Sequence, residues 1–196
     1  MLERPLGRGL PARLAFAILG FFGWRVVLAQ PMPRKCVIVF YPHTSNWDFA
    51  VSLLVKWATG IEFRWIGKHT LFESPFGRWF TRRGGISVDR GDAAGLVAQV
   101  AATFAAHDDF LLVITPEGTR RRTDHWKSGF YRLALAARVP VGLAFIDRRT
   151  RRVGIGAWMT LEGDEARDLA AMRAFYADKR GWIPAKAGPI GFRDRT

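Results

Sequence analysis

The ten residues Tyr41–Ala50 read YPHTSNWDFA and place a histidine and an aspartate five positions apart. Histidine is a common general base near neutral pH, and a neighbouring carboxylate fixes its tautomer and orientation. His43 directly follows an apolar run, and Asp48 falls in the first turn of a predicted helix. On a regular helix two such side chains point about 140° apart, so they meet only if the chain bends between them.

A second interpretation of the same stretch is a polar turn that starts a helix. Thr44, Ser45 and Asn46 suit both a bend and a helix N-cap. Ser45 and Asp48 have the spacing of a capping box, and an acidic residue in the first turn complements the helix dipole. The spacing alone therefore leaves a catalytic pair and a capped turn both open.

The segment FLLVITPEGTRRR, residues 110–122, brings further polar residues to the end of a predicted buried strand. In open α/β sheets, ligands bind at the carboxyl ends of the strands, where His43 is also expected. Gly118 permits close approach of the backbone to a ligand, and Arg120 carries a planar fork suited to phosphate or carboxylate. Glu117 and Thr119 lie beside them. The alternative is a basic surface turn.

Two further cations are candidates for the same edge of the sheet. The segment RRGGISVDR ends at Arg90, after another short predicted strand. Lys68 lies in the segment GKHTLFESPFG, which falls between YPHTSNWDFA and RRGGISVDR along the chain. The alternative for Arg90 is an ordinary surface arginine paired with Asp89 or Asp92.

The pattern of elements predicts a single α/β domain with a mainly parallel or mixed central sheet covered by helices. The last two strands are expected to form a hairpin over the basic turn at 147–151. Short apolar runs predict strands at 36–41, 61–66, 85–88, 110–115, 141–146 and 152–161, and helical spacing predicts helices at 48–59, 92–106, 127–138 and 165–179.

The N-terminus contains an uncharged stretch, LAFAILGFFGW at 14–24, bracketed by Arg13 and Arg25. It is too short to span a bilayer as a helix. Three interpretations compete: a helix lying in the membrane interface, a signal peptide ending at Ala29, and a buried core helix. We favour the interfacial helix and divide the chain into an N-terminal segment, 1–30, and a main domain, 31–196.

Charge and cysteine content narrow the class of protein. The net charge of +13 indicates an anionic partner, which charge alone does not identify as nucleic acid, membrane or phosphorylated substrate. No nucleic-acid-binding module is recognisable. The single cysteine, Cys36, lies within an apolar run, so no internal disulfide forms and a buried thiol is expected.

Taken together, the regions resemble the conserved blocks of the glycerolipid acyltransferases, the superfamily that contains 1-acylglycerol-3-phosphate acyltransferase. The stretch from His43 to Asp48 matches the H-x4-D block, Gly85–Arg90 resembles the second block, and Pro116–Arg120 matches PEGTR. Val139-Pro140-Val141 resembles the start of the fourth block, although the second proline often found there is missing. The four blocks have the family order and spacing across about 31–147.

The resemblance implies a membrane-associated O-acyltransferase in which His43 is the general base, Asp48 orients it and Glu117 completes the catalytic set. Lys68, Arg90, Gly118, Thr119 and Arg120 would bind substrate. The implied donor is acyl-CoA or an acyl-carrier protein, and the acceptor is a lysolipid such as 1-acylglycerol-3-phosphate. Glycerol-3-phosphate, an aminolipid or another hydroxylated lipid are alternative acceptors.

The resemblance further implies no metal, no resident cofactor and no nucleic-acid partner. It places the protein on an anionic surface at the cytoplasmic face of the inner membrane, where the donors are found. A backbone N–H near Gly118 is the expected oxyanion donor. Two other functions remain open: a non-catalytic basic binding protein on the same scaffold, and a thioesterase in which water replaces the lipid hydroxyl.

Overall fold

The computed structural model describes residues 1–88 and 93–193, without the side chains at 68, 88, 93–97 and 99. The described part forms one α/β unit, as predicted. Its strands are β1 Arg25–Leu28, β2 Lys35–Phe40, β3 Phe63–Lys68, β4 Gly85–Val88, β5 Phe110–Ile114, β6 Val141–Asp147 and β7 Arg152–Met159. Its helices are α1 Gly9–Phe21, α2 Trp47–Thr59, α3 His69–Phe72, α4 Gly77–Arg82, α5 Ala93–Ala106, α6 Gly129–Ala137 and α7 Glu165–Tyr176, followed by a 3₁₀ turn, Pro184–Lys186.

The seven strands of the described residues form one mixed sheet in the order β1-β7-β6-β2-β5-β3-β4. The five strands from β6 to β4 in this order are parallel. β7 returns antiparallel to β6, which confirms the predicted hairpin, and β1 pairs in parallel with β7. The sheet is therefore parallel where β2, β5 and β3 lie side by side.

Helices cover both faces of the sheet because its central strands are apolar on both sides. In β2, Val37 and Val39 pack towards α5, α6 and α7, whereas Cys36, Ile38 and Phe40 pack towards α1 and α2. All five of these side chains are buried. The buried thiol expected at Cys36 is confirmed.

The first thirty residues contribute to the same core. Ala12, Ala15 and Leu19 of α1 are buried, and the backbone N–H groups of Leu6 and Gly7 both donate to the carbonyl of Ala58 in α2. The opposite face of α1 is apolar and exposed at Leu10, Leu14, Ile18 and Phe21. Among the described residues, no helix has the length and hydropathy needed to cross a bilayer.

Some elements differ from the sequence predictions. Residues Arg25–Leu28, which extended the apolar N-terminal stretch, form the edge strand β1 because Gly23, with φ of +73°, ends α1 just before them. The stretch around Pro75 and Gly77, where no helix or strand was predicted, contains the short helices α3 and α4. Helix α1 begins at Gly9, five residues before the apolar stretch 14–24. The remaining strands and helices occur where predicted, with ends shifted by at most three residues.

Candidate active site

The two conserved-block segments follow neighbouring parallel strands that end level with each other. Val39 of β2 pairs with Ile114 of β5, so the chain leaves both strands at the same edge of the sheet. His43 and Glu117 each lie three residues beyond the end of their strand. The register of the sheet therefore brings together the first and third blocks, as expected from the position of binding sites in open α/β sheets.

His43 and Asp48 are in contact. Nδ1 of the imidazole lies 3.1 Å from Oδ2 of Asp48, and the two side chains are 14% and 1% exposed, respectively. The ring is not aligned for a hydrogen bond here, which is common in catalytic pairs before substrate binds. Because Nδ1 faces the carboxylate, Nε2 is the ring atom left for a substrate.

The same oxygen of Asp48 also closes the turn between the two residues. Oδ2 accepts the backbone N–H groups of Thr44, at 2.8 Å, and Ser45, at 2.9 Å. Ser45 in turn accepts the N–H of Trp47 through its Oγ atom. The capped turn and the histidine–carboxylate pair are thus one arrangement, since the turn supplies the bend that brings the carboxylate to the ring.

Glu117 lies behind this turn rather than beside the imidazole. Its Oε2 atom accepts the backbone N–H of His43 at 2.7 Å, and the side chain is 1% exposed. Burial raises the pKa of Glu117 to about 7; the His43 and Gly188 N–H groups oppose the rise, and the negative charge of Asp48 adds to it. In this geometry Glu117 positions the histidine through its backbone.

The pair opens onto a groove of about 570 Å³. The groove is lined by His43 and Asp48, by Gly118, Thr119 and Arg120 of the PEGTR segment, and by the charged residues Lys56 and Arg83. Its other lining residues include the apolar or aromatic Phe40, Phe49, Leu53, Phe63, Trp65, Ile66, Leu71 and Val113. A groove with both polar groups and apolar surface is suited to a ligand with a polar head and a hydrocarbon chain.

The amine of Lys56 also lines this groove, a feature that helical spacing on α2 did not reveal. Lys56 is buried, and its Nζ atom forms an ion pair with Glu62 at 2.8 Å. The same amine lies 5.2 Å from the centre of the Phe63 ring. The amine of Lys56 is thus held between the carboxylate of Glu62 and the ring of Phe63.

Residues 24–147 match the family model described as Acyltransferase, over more than half of the 196-residue chain. The chain belongs to the acyltransferase family. The resemblance predicted from the sequence blocks is thereby confirmed, and the match includes both His43 and Glu117. The protein is an acyltransferase enzyme.

The fold of this acyltransferase is similar to that of a solved structure, the 1-acyl-sn-glycerophosphate acyltransferase PlsC from Thermotoga maritima. The TM-score is 0.55 and the sequence identity 15%, with 88% of this chain and 80% of the other covered. At this identity the similarity supports the fold. A search of curated protein sequences finds no significant match.

The PEGTR segment of the acyltransferase forms a turn closed by its own backbone. The N–H of Gly118 itself donates to the carbonyl of Thr115 at 3.0 Å. An oxyanion donor among the backbone N–H groups near Gly118 stays a prediction. Gly118 has φ of +65°, and a Cβ there would lie 3.0–3.2 Å from the side chain of Lys127. The side chain of Lys127 therefore lies directly against Gly118, next to the groove.

Two of the predicted substrate-binding residues cannot be placed with the others. Arg90 lies outside the residues that the structure describes, and so does the side chain of Lys68, whose backbone ends β3. Gly118, Thr119 and Arg120 line the groove. Their roles in binding substrate stay predictions.

The segment after the fourth block packs against the turn that carries His43 and Asp48, although its sequence carries no recognisable motif. The N–H of Ile183 donates to Oγ1 of the buried Thr44 at 3.2 Å. Gly181 packs so closely that a Cβ would lie 2.7 Å from the same Oγ1 atom. The hydroxyl of Tyr41 donates to the carbonyl of Gly188 at 2.7 Å. Such contacts join residues about 140 positions apart, which explains why no local sequence signal indicated them.

Proposed function

We propose that this acyltransferase transfers a fatty acyl group from acyl-CoA or acyl-carrier protein to a hydroxyl of a lysolipid such as 1-acylglycerol-3-phosphate, with His43 as the general base. The observation that carries the proposal is the His43–Asp48 pair at 3.1 Å on the wall of a groove lined by both cationic and apolar side chains. The solved relative from Thermotoga maritima is named for the same acceptor, which is why this acceptor is placed first.

In the proposed reaction Nε2 of His43 accepts the proton of the acceptor hydroxyl while that oxygen attacks the thioester carbonyl. The negative charge of Asp48 stabilises the imidazolium that forms. Collapse of the tetrahedral intermediate breaks the carbon–sulfur bond, and the imidazolium returns its proton to the leaving thiolate. No enzyme nucleophile is required, because the acceptor hydroxyl attacks directly.

The cations beside the PEGTR segment are suited to the phosphate of the acceptor or donor. Arg120 lines the groove, and the side chain of Lys127 lies next to Gly118. A guanidinium binds phosphate through two parallel hydrogen bonds, and a lysine adds a point charge. Lys68 and Arg90, from the family resemblance, are proposed to complete the phosphate site.

The apolar walls are suited to the acyl chain. A smaller cavity of about 70 Å³ lies against the same side of the sheet, is lined almost entirely by apolar side chains, and shares Phe40, Phe63 and Val113 with the groove. An acyl chain entering from the groove would bury its methylene groups between the sheet and α2. Each buried methylene contributes about 0.8 kcal/mol to binding.

A location on the membrane is part of the proposal, because a lysolipid acceptor resides in the bilayer. The exposed face of α1 presents Leu10, Leu14, Ile18 and Phe21, and the chain carries a net charge of +13. Apolar side chains on a basic protein are typical of helices that lie in the headgroup region of anionic membranes. We place the enzyme at the cytoplasmic face of the inner membrane, where the proposed donors are found.

The test is a transfer assay with labelled acyl-CoA and labelled acyl-carrier protein, each offered with 1-acylglycerol-3-phosphate, glycerol-3-phosphate, an aminolipid or no acceptor. We expect lysolipid acylation by the wild type and its loss in His43→Ala, with His107→Ala, an exposed histidine at the opposite edge of the sheet, as the matched control. Undiminished transfer in His43→Ala contradicts the base assignment. Free fatty acid as the sole product indicates a thioesterase instead.

A further inference from the structure

Large exposed apolar side chains occur in a second region besides α1. In the turn before α4 and in α4 itself, Phe76 is 67% exposed and Trp79 is 39% exposed. Arg78 and Arg82 are exposed on the same segment. We call Phe76, Arg78, Trp79 and Arg82 the rim patch. Nothing in the family blocks includes it.

The rim patch is held in place by the chain around it. The N–H of Gly77 donates to the carbonyl of Ser74, and the Ser74 hydroxyl donates to that of Leu71. Gly77 packs so tightly that a Cβ would lie 1.7 Å from the carbonyl oxygen of Phe72. The turn is thus closely packed on its inner side, and the exposure of Phe76 is a property of the folded conformation.

The rim patch is directly connected to the groove wall. Leu71 and Ser74, which precede it, line the groove, and so does Arg83, which follows it. The ring of Trp79 lies 6.4 Å from that of Phe49, which lines the groove next to Asp48 in the sequence. The exposed ring of Trp79 therefore packs against a side chain that lines the groove, and Phe76 belongs to the same short segment.

The residue types of the rim patch are suited to contact with an anionic lipid surface. Residues 77–83 contain three arginines and no acidic residue. Phenylalanine and tryptophan enter the boundary between headgroups and acyl chains, while arginines beside them keep their charge at the phosphates. A neutral or cationic partner would leave these arginines without a counter-charge.

We propose that the rim patch is a second membrane-inserting element, which docks the wall of the groove on anionic phospholipid. The inference rests on the proposed function and adds a second contact to that of α1. Docking at the groove wall lets a lysolipid move its head towards His43 while its acyl chain remains in the bilayer. The partner is the lipid surface itself, recognised by its apolar boundary and its phosphates.

The single cysteine of the chain provides a clean labelling experiment. Cys36 is 0% exposed, and burial raises the pKa of its thiol to about 12, so it offers little thiolate to a reagent. An environment-sensitive fluorophore is attached to Phe76→Cys, to Phe21→Cys in α1 and to Asp108→Cys, an exposed position just before β5 at the opposite edge of the sheet. Each full-length protein is mixed with phosphatidylcholine–phosphatidylglycerol vesicles containing a quencher lipid.

We expect the fluorophores at positions 76 and 21 to shift to the blue and to be quenched, and the one at 108 to remain in water. Quenching at 21 without quenching at 76 overturns the inference and leaves membrane docking by α1 intact. Quenching at neither position overturns the membrane location itself. A blue shift at 76 that depends on protein concentration without vesicles means that a second copy covers the patch, which also overturns the inference.

An unlabelled variant gives an independent readout. Phe76→Ser is expected to raise the KM for a vesicle-borne acceptor by about tenfold, the effect of losing one inserted aromatic ring. Turnover of a short-chain, water-soluble acceptor should stay at the wild-type value, because Phe76 does not line the groove. An unchanged KM on vesicles contradicts the proposal.

Discussion

A single carboxylate oxygen of Asp48 serves both the histidine and the start of the helix. Oδ2 lies 3.1 Å from the imidazole and accepts two backbone N–H groups of the turn. Because the carboxylate is 1% exposed, these N–H groups have no water to replace it. The chemistry and the local fold at this residue can nevertheless be separated by substitution.

Asp48→Asn is expected to lower kcat by roughly two to four orders of magnitude while the protein remains folded. The amide oxygen still accepts the N–H groups of the turn, but the negative charge that stabilises the imidazolium is lost. Asp48→Ala should lose the acceptor as well and cost about 1–3 kcal/mol of stability. Steady-state kinetics with thermal unfolding of both variants checks this; an active asparagine variant would contradict the role of the charge.

Glu117 carries a stability penalty that depends on pH. Its pKa in the folded protein is about 7, above the ordinary value of 4.5, so folding disfavours the charged form. The penalty is absent below the ordinary value, grows as the pH rises towards 7 and is complete above it. It amounts to about 3 kcal/mol at full ionisation.

Glu117→Gln is therefore expected to unfold less readily than the wild type at about pH 8, and to show a much smaller gain at about pH 5. The glutamine oxygen still accepts the His43 N–H, so the turn keeps its support. Denaturant unfolding at the two pH values measures the difference, with the exposed Glu73→Gln as control. An equal gain at both pH values would contradict the assigned pKa.

The individual residues of the site could be predicted from the sequence where they belong to a recognised motif. His43, Asp48 and Glu117 were identified from the sequence, and the structure brings all three together. The separate contacts of the three residues could not be predicted. The sequence does not reveal that Glu117 accepts the backbone N–H of His43 and does not contact the imidazole ring. Lys127 was not among the predicted site residues, since its approach to Gly118 depends on a loop conformation.

The C-terminal segment is the element that packs against the turn carrying His43 and Asp48. Gly181 and Ile183 contact Thr44, and the 3₁₀ turn that follows leads to Gly188 beside Tyr41. Between Gly181 and Gly188, all of which the structure describes, the segment contributes no side chain to the groove. Its effect on activity is therefore expected to be indirect.

Gly181→Ala is expected to lower kcat by about tenfold or more, because the new methyl group would lie 2.7 Å from Oγ1 of Thr44 and displace the turn that carries His43. Gly191→Ala is the matched control, since a Cβ at that position meets nothing within 4 Å. Kinetics on the two variants decides the point. Equal activities would mean that the turn tolerates the displacement.

Elements with a clear apolar run or helical spacing were predicted within a few residues, and the exceptions have physical reasons. No strand was predicted at β1, although Gly23 and the β-branched Val26 and Val27 favour one. α4 begins at a glycine, which usually marks a loop. Here the glycine is required by the close approach of Phe72, a contact that only the fold reveals.

At the scale of the whole molecule, the excess of positive charge and the exposed apolar side chains act on the same proposed partner. The net charge of +13 attracts an anionic surface over about one Debye length, and the apolar groups act only on contact. The two contributions respond differently to salt, which allows them to be measured separately.

Binding to phosphatidylglycerol-containing vesicles is expected to weaken by about tenfold or more when salt rises from low concentration to about 0.5 M. Residual binding at high salt reports the apolar contribution and should fall in Phe21→Ser, an exposed position of α1. Vesicle co-sedimentation measures both, with phosphatidylcholine vesicles as control. Binding that is independent of salt would contradict an electrostatic role for the charge.

The packing of α1 against α2 has a consequence for the choice of acceptor. The N-terminal chain is tied to Ala58 near the end of α2, and Asp48 lies ten residues earlier on the same helix. If α1 rests in the lipid surface as proposed, the roughly 15 Å of α2 between Asp48 and Ala58 is a rigid link between that anchor and the turn that carries His43. The enzyme would then select acceptors by the depth of their hydroxyl group in the bilayer, independently of the shape of the headgroup.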